Sequence, residues 1–224
     1  MLALLNDIAG RLSTDPDALA LLALGSAGTH QERLDEHSDL DFFVIASDKY
    51  KFLDDLSWLG FVEWWHRDTP DGCKALVNGI YCEFAVFLPQ ELPAIRFEAP
   101  RIVWQRDGVA LSDHNIPSSA AQDWLVDEVL SNLYVGLHRW LRGERLSAMR
   151  MVQGDALDNL LRLLGADDPF APSRRAERLG LPWAVLAGGY DHTPAAALGI
   201  LQELPAGGGR MRVEVEALVQ DALR

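Results

Sequence analysis

Leu19-Ala20-Leu21-Leu22-Ala23-Leu24 closes on Gly25-Ser26, and twelve residues later comes Asp39-Leu40-Asp41-Phe42-Phe43-Val44-Ile45-Ala46. The first run is short, apolar and ended by turn chemistry, the pattern of a buried strand. The second, taken from Ser38 to Ser47, is rich in β-formers and bounded by polar residues, which predicts another strand. Side chains alternate across a strand, so Asp39 and Asp41 share one face while Leu40, Phe42 and Val44 occupy the other. Two carboxylates held side by side repel each other unless a cation neutralises them, and Mg²⁺ takes hard oxygen ligands together with phosphates. Asp-x-Asp by itself also suits a solvated strand edge. Gly25-Ser26 adds weight to the metal reading, because a glycine lets a phosphate approach the backbone and a hydroxyl can donate to it.

A third acid comes from further along. Cys73 to Val77 and Ile80 to Leu88 flank Asn78-Gly79, a pair that tolerates the positive φ angles of a type I′ hairpin turn. Counting outward from that two-residue loop sets Val77 opposite Ile80, Leu76 opposite Tyr81, Ala75 opposite Cys82 and Lys74 opposite Glu83. Glu83 therefore interrupts an otherwise apolar strand and needs a partner. A metal ion or Lys74 supplies it, and both readings stand at this point. Cys73 and Cys82 are diagonal in this register rather than opposite, which favours core thiols over a disulfide.

These residues resemble the nucleotidyltransferases of the polymerase-beta superfamily, whose signature is a strand ending in Gly-Ser or Gly-Gly, a variable gap, Asp-x-Asp or Asp-x-Glu, and a later strand acid. The resemblance spans about residues 19 to 88. With a helical C-terminal half, the chain is most similar to the lincosamide and aminoglycoside nucleotidyltransferases. The resemblance implies that Asp39, Asp41 and Glu83 are the metal-binding and catalytic residues, holding two Mg²⁺ ions, with Glu83 also taking the acceptor's proton. It implies that Gly25, Ser26 and Ser38 contact the phosphates of ATP or another nucleoside triphosphate. Ser38 equally suits a plain turn into the strand. The chain departs from the family where an Arg or Lys often follows Gly-Ser: here Ala27-Gly28-Thr29-His30 follows, and the first cation is Arg33.

The rest of the chain supports two regions. Met1 to Leu12 predicts a helix, Lys49 to Leu59 another, Phe61 to His66 a strand and Arg101 to Gln105 a last strand. Beyond Pro117, Ser119 and Gln122 have the spacing of a capping box, and Leu125, Val129, Leu133, Leu137 and Leu141 recur at helical intervals. A second amphipathic helix runs from Leu146 to Leu164 and stops at Gly165. Thr193-Pro194 opens a further helix, and Met211 to Leu223 is the last. The expected fold class is α+β, a mixed sheet with flanking helices, followed by an all-α helical domain. The division falls at a catalytic domain of residues 1–117 and an acceptor-binding helical domain of residues 118–224.

Composition narrows the partners. Among 224 residues, 33 Asp and Glu against 20 Lys and Arg leave a formal net charge of −13. Such a surface repels phosphate backbones, so nucleic acid is not expected as a partner, and a polymerase or tailing enzyme is disfavoured. A cationic small molecule would be attracted. No run approaches the ~20 apolar residues of a membrane span. The N-terminal apolar run breaks at Asn6 and Asp7 without a signal-peptide start, and the two cysteines suit a reducing compartment, so a cytoplasmic location and no membrane partner are expected. The seven tryptophans leave room for a homodimer. The leading expectation is transfer of a nucleoside monophosphate to a small-molecule hydroxyl. The alternative is a non-catalytic or protein-modifying antitoxin-like module acting through a protein partner.

Overall fold

The computed structural model describes residues 1–111, 120–166, 168 and 170–224. The chain divides into two compact units, Met1–Ile116 and Pro117–Arg224.

The first unit is built on a six-stranded mixed sheet. Its strands are β1 (Ala18–Ala23), β2 (Leu40–Ala46), β3 (Val62–Arg67), β4 (Gly72–Val77), β5 (Ile80–Phe87) and β6 (Arg101–Gln105), in the order β3-β4-β5-β2-β1-β6. Only β2 and β5 run parallel; every other neighbouring pair is antiparallel. Helix α1 (Leu2–Thr14) buries Leu4, Leu5, Ile8 and Leu12. With α2 (Lys49–Asp54) it contributes to a core on one sheet face, against Leu21, Leu40, Phe42, Val44, Ala75 and Phe84. Phe42 and Phe84 stack at 5.4 Å, and Trp58 meets both edge-on. The other face carries a smaller cluster, in which Leu22, Ile45 and Phe87 pack with Leu92 and Phe97.

The β4–β5 hairpin has the expected register, from Val77 opposite Ile80 to Lys74 opposite Glu83. Asn78 and Gly79 take φ of 51° and 74°, the positive values a type I′ turn requires. Cys73 and Cys82 are buried free thiols.

Two elements differ from the sequence reading. Strand β2 begins at Leu40 rather than Ser38, because Ser38 is held in a turn: its hydroxyl donates to Asp35 Oδ1 at 3.0 Å and accepts from the Asp35 amide at 3.0 Å. Helix α2 stops at Asp54 and does not reach Leu59. Acids at a helix C-terminus oppose the macrodipole, and the Asp55 carboxylate instead accepts from the Ser57 amide at 2.9 Å, turning the chain into a separate helical turn, Ser57–Leu59.

The second unit is helical. Helix α3 (Gln122–Leu141) is followed by α4 (Arg145–Arg150), a π-helical stretch Met151–Ala156, α5 (Leu157–Leu163), α6 (Trp183–Leu186), α7 (Thr193–Glu203) and α8 (Gly209–Ala222). The single helix expected from Leu146 to Leu164 thus contains a wider π turn, opposite Gly136 of α3. A β-carbon at Gly136 would stand 2.8 Å from Val152 Cγ2, so the two backbones cross with no room for a side chain. Val129, Leu133 and Leu137 of α3 form the core with Val152, Leu160, Ile200, Val215 and Val219. Ser119 of the expected capping box lies outside the described residues. Among those described, no helix is long and apolar enough to cross a membrane.

Candidate active site

The site begins where β1 ends. Leu24 still pairs with β2, its amide donating to the Asp41 carbonyl at 2.8 Å, and the chain then tightens into a 3₁₀ turn, Gly25–Ala27. Gly25 takes φ +52°, and a β-carbon there would meet Asp41 Oδ2 at 2.8 Å. Glycine is required on both counts, conformation and space. The Gly-Ser turn and the second acid of Asp-x-Asp, sixteen positions apart in sequence (41 − 25 = 16), are therefore in contact distance.

Glu83 lies directly across from Asp41 in the parallel β2–β5 pair. Residues opposed in register share a sheet face, and the register continues outward: Glu83 faces Lys74 on β4, and Lys74 faces His66 on β3. Asp41, Glu83, Lys74 and His66 thus form one row across four strands. A neighbouring row on the same face holds Tyr81, Leu76 and Trp64. Asp39 precedes β2 and lies outside the ladder, yet its charge reaches Tyr81 in the second row and the Cys82 thiol on the opposite face. The Cys82 thiol is pushed up to about 12, first by burial and then by the charges of Asp41 and Asp39. The Tyr81 hydroxyl is raised by burial and the nearby Glu83, with a smaller contribution from Asp39.

Glu83 is paired within this structure. Lys74 Nζ stands 3.4 Å from Glu83 Oε1 and 3.6 Å from Asp68 Oδ2, and the Tyr81 hydroxyl donates to Glu83 Oε1 at 3.3 Å. The hydrogen bond to Glu83 raises the Lys74 pKa above its ordinary value. Of the two partners open to Glu83 from sequence, the structure contains the lysine. Among the described residues, no three His, Cys, Asp or Glu side chains gather closely enough to hold a metal ion. Asp39, Asp41 and Glu83 share one end of the sheet without closing into a ready ligand set.

Ser26 sits half-buried in the turn beside Gly25. Ser38 spends its hydroxyl on the Asp35 turn. His30 and His37 are exposed and lie near Glu32 and Glu36 respectively. One residue that sequence reading missed is Arg101, at the start of β6, whose Nε donates to the Ala27 carbonyl at 3.0 Å and so braces the turn from a strand more than seventy residues away. No local motif announces it, because the contact depends on β6 pairing beside β1.

No family model matches the chain, and no curated protein matches its sequence. Among solved structures, it is similar to an aminoglycoside 6-adenyltransferase from Bacillus subtilis, at 14% identity over 97% of this chain and 89% of that one, with a TM-score of 0.34. It is also similar to a nucleotidyltransferase-like protein from Exiguobacterium sibiricum, at 17% identity over 95% of this chain and 72% of that one (TM-score 0.35). A spectinomycin adenyltransferase from Enterococcus faecialis, solved with ATP and spectinomycin, aligns at 13% identity over the whole of both chains, with a TM-score of 0.37. At these values the likeness says nothing of this chain's activity, and the functional reading rests on its own residues.

Proposed function

We propose that this chain is a nucleotidyltransferase that moves a nucleoside monophosphate, AMP from ATP, to a hydroxyl of a small molecule, with pyrophosphate as the other product. The observation that supports this best is the contact between Gly25 and Asp41, with Glu83 in register beside Asp41. It brings together a glycine turn, whose backbone could approach a phosphate, and two carboxylates on one sheet face.

The donors suit a hard divalent cation. Asp39, Asp41 and Glu83 offer oxygen alone, and the backbone at Gly25 lies close against Asp41 Oδ2. These three residues would hold magnesium, which when bound neutralises the phosphates and stabilises charge on the attacking and departing oxygens. The Gly25–Ala27 turn would position the β- and γ-phosphates, with Ser26 donating to them. Glu83, oriented by Tyr81 and Lys74, would accept the proton of the acceptor hydroxyl. That oxygen bonds to the α-phosphorus as the bond to pyrophosphate breaks in line with it. Residues 118–224 would recognise the acceptor, as the family resemblance implies, and an antibiotic of the aminoglycoside or lincosamide type is the candidate class.

The test is pyrophosphate release from ATP with magnesium, against a panel of aminoglycosides, lincosamides and simple polyols, with Asp41→Asn as the control. Release that needs magnesium and one acceptor, and falls by at least about 100-fold in the variant, supports the reading. No release from any nucleotide, together with no nucleotide binding, removes it in favour of a binding module.

A further inference from the structure

Beyond Glu83 the site face does not end. Sheet order runs β1, β2, β5, β4, β3, so the Gly25 turn, Asp41 and Glu83 follow one another across the sheet, and the Tyr81, Leu76 and Trp64 row starts beside Glu83 on β5 and continues to β3. Large aromatic side chains favour burial, yet Trp64 is 49% exposed and Tyr81 38% exposed. Trp64 also leans on His66, their rings 6.4 Å apart. These residues make an aromatic shelf that starts at Tyr81, two residues along β5 from Glu83, and ends at Trp64 two strands further on, roughly 10 Å across the sheet. That distance matches the width of a second ring on a drug-sized molecule.

The shelf is charged as well as aromatic. Asp39, Asp41 and Glu83 border it on one side, while Lys74 is shared between Asp68 and Glu83. Two exposed aromatic faces beside surplus carboxylates attract an organic cation, through the ring quadrupole and through plain charge. A triphosphate has the opposite charge and, in the proposed reaction, enters from the Gly25 side.

We infer that Trp64, with Leu76 and Tyr81, is the part of the catalytic sheet that receives the acceptor, and that it takes a ring-bearing molecule carrying a protonated amine. The inference rests on the transferase reading for the direction of approach, since the acceptor hydroxyl must reach Glu83 from the side the triphosphate leaves open. It makes Trp64 a specificity-determining residue on the sheet itself.

Trp65 provides the control. It is 52% exposed on the same strand, but opposite Ala75 and therefore on the other face. Binding of spectinomycin, kanamycin, lincomycin and neutral myo-inositol to the full chain is measured by calorimetry for the wild type, Trp64→Ala, Trp64→Phe and Trp65→Ala. At least one amine is expected to bind while inositol does not. Its dissociation constant should weaken about tenfold in Trp64→Ala, a loss on the scale of one aromatic cation contact, recover in Trp64→Phe and stay within twofold in Trp65→Ala. Binding of no amine, equal losses in Trp64→Ala and Trp65→Ala, or inositol binding as tightly as the amines would each overturn the inference.

Turnover separates it from the reading beneath it. Pyrophosphate release with an unchanged acceptor KM in Trp64→Ala leaves the transferase and removes the shelf. Amine binding that depends on Trp64 without any release leaves the shelf and removes the transferase.

Discussion

Gly25 and Asp41 share one space: a β-carbon at position 25 would stand 2.8 Å from Asp41 Oδ2, and the φ of +52° would strain it further. Gly25→Ala is therefore expected to displace the carboxylate as well as to cost about 1–2 kcal/mol of backbone strain. Gly79→Ala introduces a similar strain at φ +74° in open space. Both variants should lower the melting temperature by a few degrees, roughly what a 1 kcal/mol loss gives in a chain of this size. Only Gly25→Ala should lose turnover, by more than about tenfold, because only there does the carboxylate move. Equal turnover in the two variants would separate the turn from the site.

Arg101 is tied to the proposed site through its hydrogen bond to the Ala27 carbonyl. Its removal deletes a hydrogen bond worth about 1 kcal/mol and loosens the Gly25–Ala27 turn. Arg101→Ala should raise the KM for ATP about fivefold, the factor that energy corresponds to, with kcat within twofold. A change in kcat alone would show that Arg101 reaches the reacting atoms.

Lys49 holds the first unit together away from the site. It is buried, with Nζ 2.7 Å from Asp71 and 2.6 Å from Glu91, and these hydrogen bonds raise its pKa to about 12. A raised folded pKa means that its stabilisation is complete below the ordinary lysine value of 10.5 and is lost as pH climbs through about 12. Lys49→Met leaves two carboxylates without their cation and should cost about 1–3 kcal/mol at neutral pH. The difference between wild type and variant should shrink above pH 10.5, which urea melts at a series of pH values would show.

The two thiols are core atoms, and burial pushes both above the ordinary range, Cys82 to about 12. Neither should react quickly with a disulfide reagent such as DTNB at mildly alkaline pH in the folded chain, and both should react in urea. Rapid labelling of the native protein would contradict the packing of β4 against β5.

Much of this unit was legible in the sequence because local rules agree there. Alternation, the Asn78-Gly79 turn and two-residue counting place Lys74 opposite Glu83 with no knowledge of the fold. What counting could not supply is the third dimension. That β5 runs parallel beside β2, bringing Glu83 to Asp41, depends on a crossover through β3 and β4. Arg101 stays hidden for the same reason, since its bond to Ala27 exists only once β6 adds to β1. Ser38 suits both an extended start and a turn into the strand, and the turn wins because Asp35, three residues before it, offers a side-chain bond that outcompetes extension. In the helical unit, periodicity located the long helices but not the π stretch, which answers to the close crossing at Gly136.

The central claim is that Asp41 and Glu83 serve one transfer reaction. The most direct measurement is mass spectrometry of the small-molecule product after incubation with ATP, magnesium and the acceptor panel, for the wild type, Asp41→Asn and Glu83→Gln. Addition of one nucleoside monophosphate to an acceptor by the wild type, reduced about 100-fold or more in both folded variants, is the predicted result. An acceptor modified equally well by either variant, or ATP left intact by all three with every acceptor tested, would contradict it.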